Sequence, residues 1–378
     1  MKKRFKKSVL GAVLTTFAFS INPVMATELE SVSITHKKPD DPYVAGFKAY
    51  ANELGAYSEI IEESADAYAD DVAKTEKKVG YIGKLLPIPK AVKVTEGVYT
   101  VVGSMIWHNP ANFGLNNNLS FIIFDDGVFV FNAGANPALA YSLHQQIKQI
   151  TNKPVKWLAV ENNQGHAYLG ASYWVDVGVK HLYSSTLAND QFNDGFTAIK
   201  QEWSTRVGKE ITMNARNVSD KFTTFDGDLT IDVGGGETVL LKDFGPGHTP
   251  ASTSAYIPSR KVILTGDLGF NERMPVFFAY TDSFAWEASY KAMLDQIPAD
   301  TIVVPGHGTP TDMATAKHQM YDYLVYMHKE VQKVVDADGR QYDAEKIDQS
   351  MYKDRPVFDQ AAKNNARHIY IEITGGDF

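Results

Sequence analysis

The amino-acid sequence predicts an α/β layered fold. β-branched and aromatic runs cluster in two stretches, residues 92–160 and 222–304, and each is followed by segments of helical spacing. Polar residues fall repeatedly just past a strand-like run, on glycine-rich turns, which is where layered α/β folds build their sites. With 44% hydrophobic residues over 378 positions the chain can fill a large core, and no internal repeat or low-complexity tract points to another architecture.

Each element has a local reason. Val92 to Val102 is β-branched around Glu96-Gly97, and Leu119 to Phe124 and Val128 to Phe131 read as strands joined by the hairpin signal Asp126-Gly127. Asn136-Pro137 opens a helix, with Asn as N-cap, Pro at the first helical position, and Leu139, Leu143, Ile147 and Ile150 on one face. Trp157 to Val160 is a buried strand, and the segment behind it begins another helix. Phe222 to Val233 reads as a hairpin turned by Asp226-Gly227, Gly234-Gly235-Gly236 as a tight turn, and Thr238 to Leu241 as a strand running into Gly245-Pro246-Gly247-His248-Thr249. Ser254 to Ile257 and Val262 to Thr265 pair across Pro258-Ser259-Arg260. A helix from about Ser283 to Gln296 leads to the strand Thr301 to Val304 and then Pro305-Gly306-His307-Gly308, and Tyr321, Tyr323, Tyr326 and Met327 give a later helix its buried face.

The N-terminal residues read differently. Lys2, Lys3, Arg4, Lys6 and Lys7 precede an apolar stretch from Val9 to Ile21, closed by Asn22-Pro23, and Val24-Met25-Ala26 supplies small residues before Thr27. Residues 1–26 are therefore expected to be a cleaved signal peptide, giving a periplasmic or secreted protein with no stable membrane anchor after cleavage. Removing them takes the formal charge from -8 to -13, with 32 basic against 45 acidic residues. That balance repels nucleic-acid phosphates, so nucleic acid is not an expected partner.

Residues 27–90 are expected to form a helical N-terminal extension. From Glu53 to Asp71 there are seven acidic residues and no basic one, while Tyr57, Ile60, Ile61, Ala65, Tyr68 and Val72 recur at helical spacing. This is the pattern of a solvated helix packed on a core. The alternative, a dimerisation or lid element, leaves a homo-oligomer through these helices open. Residues 91–310 then form the main domain, and 311–378 a C-terminal helical segment and tail.

Three segments share one design: Gly247-His248-Thr249, Leu264-Thr265-Gly266-Asp267 and Val304-Pro305-Gly306-His307-Gly308 each deliver a metal-competent side chain from an apolar strand onto a glycine-rich loop. The chain contains no cysteine, so thiolate ligands, disulfides and cysteine nucleophiles are excluded and any metal must be held by nitrogen and oxygen.

In these residues the chain resembles the metallo-β-lactamase fold superfamily over roughly residues 91–310. The resemblance implies a four-layer αββα sandwich, carrying here an N-terminal helical extension and C-terminal helices. It puts His248, Asp267 and His307 on the third, fourth and fifth ligand motifs of a metal-dependent hydrolase. The first motif departs from the family's His-x-His-x-Asp-His. Aligning back from Leu169-Gly170-Ala171-Ser172-Tyr173-Trp174 places Asn162, Gln164, His166 and Ala167 on its ligand positions; a one-residue shift places Glu161, Asn163 and His166 there. Either register lacks both early histidines, and Asn132 stands where the family has the Asp of an Asp-x-Gly turn.

The amide oxygens of Asn162 and Gln164 are poor ligands beside imidazole, so the expected set is His166, His248, Asp267 and His307, holding one divalent ion, Zn first, with Fe or Mn as alternatives. The resemblance further implies catalytic roles for Asp267 and His166, with substrate contacts from Asn162 and Gln164. It adds Trp107 and His108 on the Gly103 to Asn117 segment, a flap or an ordinary loop, while Met274 to Tyr280 either lines the pocket or packs in the core. The leading expectation is an exported metal-dependent hydrolase of a small ester-, lactone-, thioester- or lactam-like substrate. The alternative is a catalytically inactive member that binds a ligand or partner.

Overall fold

In the computed structural model, which describes Leu86 and residues 88–376, strand pairing builds two sheets. The first contains β1 (Val92–Thr95), β2 (Val98–Val101), β3 (Leu119–Ile123), β4 (Val128–Phe131), β5 (Val155–Ala159), β6 (His181–Ser185) and β7 (Phe222–Phe225) in sequential order. The second contains β8 (Leu229–Asp232), β9 (Thr238–Lys242), β10 (Ser254–Ile257), β11 (Val262–Phe270), β12 (Ile302–His307) and β13 (Thr311–Asp312), ordered β13-β12-β11-β10-β9-β8. Pairing is parallel between β4, β5, β6 and β7 and between β11 and β12, and antiparallel elsewhere. The signal peptide and nearly all of the helical extension, including the Glu53 to Asp71 stripe, lie outside the described residues. Among the described residues no helix is long and apolar enough to cross a membrane.

Three apolar clusters show how the layers stack. Phe124, Phe129, Phe131, Trp157 and Phe225 of the first sheet meet Ile231, Val239, Leu241, Ile257 and Leu264 of the second, which is the interface between the sheets. On its other face the first sheet is covered by α1 (Pro137–Ile150), the short α2 (Gly165–Tyr168) and α3 (Ala171–Asp176), and the long α4 (Thr186–Val207). The second sheet's outer face takes α5 (Ser283–Gln296), α6 (Asp322–Asp336) and α7 (Phe358–Thr374), through Trp286, Tyr290, Met320, Tyr323, Met327 and Ile369. The order is αββα. Residues beyond 311 thus complete the outer layer, and Tyr323 and Met327 are buried there while Tyr321 and Tyr326 are half-buried.

Local chemistry explains the boundaries. All four residues of β4 and all nine of β11 are buried, as expected for strands covered on both faces, which read as continuous apolar runs. Helix α1 starts where Asn136 Oδ1 accepts from Leu139 N at 2.8 Å with Pro137 behind it, and Leu139, Leu143 and Ile147 are buried as the spacing predicts. Ile150 is not buried on that face; it is 40% exposed at the helix end.

One turn is assigned differently from the sequence expectation. Asp226-Gly227 does not close a hairpin. β7 pairs in parallel with β6 in the first sheet, whereas β8 pairs with β9 in the second, so this dipeptide carries the chain from one sheet to the other. The hairpin is turned instead by Gly234-Gly235-Gly236, all at positive φ. Phe222 points to the helical layer and Phe225 to the inter-sheet core, so β7 needs covering on both faces, which pairing with β8 alone would not provide.

Asn118 cross-links the halves at the edge where the chemistry lies. Its Oδ1 accepts from Gly103 N at 2.9 Å, and its Nδ2 donates to Pro305 O and Gly308 O at 2.8 and 2.7 Å, on both sides of His307. Asn118→Ala leaves these buried backbone groups unpaired and is expected to cost about 2–4 kcal/mol. Urea unfolding measures this; a loss under 1 kcal/mol would show that water replaces the amide at no cost.

Candidate metal centre

Chain direction brings the sequence-predicted residues together. Asn132 follows β4, Glu161 and Asn162 follow β5, and His307 ends β12, so all project from the carboxyl ends of parallel strands. Asp267 lies within β11 beside β12, and His248 sits in the connection from β9 to β10. His166 comes from α2, whose first residue, Gly165, lies so close to the Trp203 indole that a Cβ there would collide with Nε1. Gly306 likewise lets β12 approach, since a Cβ there would stand 2.6 Å from Asp267 Oδ1.

Asp267 is the hub. His307 Nε2 lies 3.2 Å from its Oδ1, and His166 Nε2 and His248 Nε2 lie 3.5 and 3.9 Å from its Oδ2. All four side chains are at least 94% buried. The tightest metal-competent group, with donor atoms all within 4.8 Å of one another, is a different set: Glu161, His166 and Asp267. His248 and His307 approach the same carboxylate from its other sides.

Glu161 was not among the expected site residues, except as the first position of the shifted register. It is 1% exposed and saturated with donors. Asn132 Nδ2 donates to its Oε1 at 2.7 Å, Asn117 Nδ2 approaches at 3.5 Å, and His166 Nε2 lies 3.2 Å away. The backbone N–H of Asp267 donates to its Oε2. Gly266, at φ 55°, is needed here, because any Cβ would run into that carboxylate. Asn132 closes the loop by accepting from Glu161 N at 3.1 Å. It adopts φ 69°, a left-handed conformation that Asn tolerates well.

This pairing explains the departure at position 132. The Asp usual in the family would face the Glu161 carboxylate, whereas the amide donates to it. The sequence does carry both substitutions, but only the fold shows that they touch.

The electrostatics follow from burial and these contacts. Burial pushes the Glu161 carboxyl up, and Asp267 adds to the rise. Burial alone would lower His166, but the Asp267 and Glu161 carboxylates outweigh it and raise the imidazole. Burial also opposes ionisation of Asp267, yet His166 and His307 hold its carboxyl well below the usual range. His248 and His307, with less carboxylate contact, are depressed by burial to about 4 and are neutral at pH 7.

The remaining expected residues are spread around this cluster. Asn162 Nδ2 donates to Asp267 Oδ2 at 3.4 Å while its Oδ1 accepts from Gln164 N at 2.9 Å, so its amide N–H, not its oxygen, faces the acid. Gln164 turns outward, and its Nε2 donates to Tyr280 Oη at 3.0 Å. His108 stacks on Trp203 at 3.9 Å, and Trp203 in turn meets His166 edge-on. Trp107 contacts Phe278, which packs against His248, so the 103–117 and 274–280 segments meet beside the cluster. A further residue, Arg273, is buried next to them and had no sequence signal beyond its place six residues after Asp267.

The chemistry of the cluster, imidazole nitrogen and carboxylate oxygen, suits a divalent cation. Glu161, His166 and Asp267 offer donor atoms within 4.8 Å of one another, and His248 and His307 each bring an Nε2 within 3.9 Å of the Asp267 carboxylate. His248 Nδ1 and His307 Nδ1 lack partners among the described residues, so neither ring has the outer hydrogen bond that normally fixes a ligating imidazole.

Asn132→Asp tests the buried pair. Two carboxyls in contact cannot both ionise cheaply, so the variant is expected to lose about 2–4 kcal/mol at pH 7. A carboxyl whose folded pKa is raised binds more protons native than unfolded, so the deficit is greatest at neutral pH and shrinks as pH falls toward 5. Urea melts at both pH values read this out, and adding Glu161→Thr should restore most of the loss; a pH-independent deficit would contradict the contact.

A family model described as the metallo-beta-lactamase superfamily matches residues 165–307, opening just after Glu161, Asn162 and Gln164 and ending on His307. A probable metallo-hydrolase of Bacillus subtilis (strain 168), YqgX, is 25% identical over 224 residues, covering 57% of this chain and 96% of that protein. Among solved structures, a metallo-beta-lactamase from Pontibacter korlensis aligns at 20% identity and TM-score 0.49 over 62% of this chain and 97% of that one. TMB-1 aligns at 20% identity and TM-score 0.48 over 63% and 99%. A family match over residues 165–307, a metallo-hydrolase relative and its own αββα layers make this a chain of metallo-β-lactamase-like fold.

Proposed function

We propose that this chain is a metal-dependent hydrolase of a small ester-, lactone-, thioester- or lactam-like substrate, exported by its N-terminal segment, with one divalent ion held by His166, His248, Asp267 and His307. The observation that carries the reading is the ring of three Nε2 atoms at 3.2–3.9 Å from one buried carboxylate. Such an ion, when bound, supplies Lewis acidity at the carbonyl and lowers the pKa of water towards neutrality.

The protein's own groups divide the rest. Asp267 orients the attacking water by accepting its hydrogen bond. His166, held between Glu161 and Asp267, serves as the fourth ligand or, where the other three hold the ion, as the general base. Asn162 offers an amide to the substrate from the same side, and Gln164 with Tyr280 closes the mouth. Trp107, His108 and Phe278 form the apolar wall that excludes water.

A second reading, a catalytically inactive binding protein, is favoured by one specific contact. The Asn162 N–H directed at Asp267 occupies a face of the carboxylate that a metal-binding family member keeps for a ligand.

Metal content separates the two. Purified protein is expected to bind one equivalent of Zn, and a hundredfold excess over Kd should stabilise it by about 2.7 kcal/mol in a thermal melt. His248→Ala and Asp267→Ala should abolish the shift, while Asn162→Ala leaves it nearly unchanged. No Zn-dependent shift in the wild type removes the basis of the hydrolase reading, and a large loss on Asn162→Ala would show that its amide oxygen is a ligand.

A further inference from the structure

We propose that His368, on the last helix, is a positioning residue for the proposed metal ligand His248, and that it acts through Thr281. The inference deepens the hydrolase reading and rests on it for the presence of an ion; for the position of His248 it rests on the contacts alone.

A ligating imidazole normally commits its second ring nitrogen to an outer hydrogen bond, which fixes the direction of the first. His248 has no such anchor, since its Nδ1 is buried without a partner among the described residues. Aromatic rings pack around it instead, with centres 5.0 Å away for Phe278, 5.6 Å for Trp286 and 5.7 Å for Phe270. Contacts of this kind confine a ring but do not aim one nitrogen, because dispersion lacks the directionality of a hydrogen bond. The aim of Nε2 must then come from the backbone that carries it, in the connection between β9 and β10, outside either strand.

Thr281 holds that backbone. Its Oγ1 donates to His248 O at 2.9 Å and accepts from Phe278 N at 3.0 Å. One hydroxyl therefore fixes both the main chain of the ligand and the residue whose ring packs against it. His368 of α7 fixes Thr281 in turn, with Nε2 at 2.9 Å from Thr281 O and 3.2 Å from Glu372 Oε1. Burial opposes ionisation of Glu372, yet His368 and Ser283 hold its carboxyl below its ordinary value, so both neighbours of Nε2 only accept and Nε2 donates. Glu372 also accepts from Ser283 N at 2.7 Å and from Ser283 Oγ, which pins α7 to the first turn of α5. His368 and Thr281 are both buried. The support for a ligand thus reaches it in two hydrogen bonds from a helix that lies past residue 307, where the match to the family model ends.

The alternative is that these bonds only fasten α7 to the body of the protein. Tyr370→Phe is the control, because Tyr370 Oη, on the same helix, donates at 2.9 Å to Gly339 O in the loop beyond α6. Zn is titrated calorimetrically, against a competing chelator, into the full chain and into Thr281→Val, His368→Leu, the conservative Thr281→Ser and His368→Gln, and Tyr370→Phe, each first checked by circular dichroism and urea unfolding. The Kd is expected to rise at least tenfold in Thr281→Val and His368→Leu, to stay within about threefold of wild type in Thr281→Ser and His368→Gln, which keep a hydroxyl and an N–H, and to be unchanged in Tyr370→Phe. The visible bands of the Co-substituted protein should shift in Thr281→Val and His368→Leu alone. A metal-free readout runs beside these: in imidazole proton–nitrogen correlation spectra of histidine-labelled protein, the His248 signals should move in the same two variants and not in Tyr370→Phe. If the wild type takes up no Zn yet those signals move, the hydrolase reading falls and the positioning stands. Zn affinity and His248 signals that keep their wild-type values in Thr281→Val and His368→Leu overturn the proposal and leave the hydrolase reading intact, and an equal change in Tyr370→Phe overturns it too. Should His368→Leu not fold, Thr281→Val against Thr281→Ser decides by the same measurements.

Discussion

The site depends on one buried carboxylate that is not itself among the expected ligands. Glu161 receives hydrogen bonds from the end of β4 through Asn132, from β11 through the Asp267 amide, and from α2 through His166. Three elements that arrive from separate parts of the sequence are thereby held in one frame. An acid at 1% exposure is tolerated only because each of its oxygens is satisfied, so the frame is stable as a unit and weak if any donor is removed. Gly266 and Asn132, both at positive φ, are the backbone conditions for it.

Much of the fold was legible because the signals are local. The N-cap at Asn136, the run of Val128 to Phe131 and the glycine-flanked His248, Asp267 and His307 each have a short-range cause, and the structure builds the corresponding elements. What was not legible is long-range. Asp226-Gly227 has the same chemistry whether it turns a hairpin or moves the chain between sheets, and only the two-sided burial of Phe222 and Phe225 decides. Glu161 and Asn132 are 29 residues apart and look like two unrelated departures until their side chains meet. Arg273 carries no motif, and only the fold shows that it meets Met105 O, Trp107 and Phe270 beside the cluster.

The clustered loops also show why the flanking segments matter. Asn118 fixes the backbone on both sides of His307, and Asn365 of α7 bonds Pro275 O and Phe277 N, so the 274–280 segment is braced from the C-terminal layer. His368 on the same helix reaches Thr281 O, and Thr281 Oγ1 donates to His248 O. The C-terminal helices therefore contribute rigidity to a ligand loop, not chemistry. A site assembled from several strand ends needs such bracing, since displacements of an ångström change both coordination and proton transfer.

Charge also sets how the cluster would take up a metal ion. The Asp267 and Glu161 carboxylates raise the His166 imidazole, while burial depresses His248 and His307. A divalent ion taken up under the proposed function competes with protons for the same imidazole nitrogens, so its binding is favoured as pH rises.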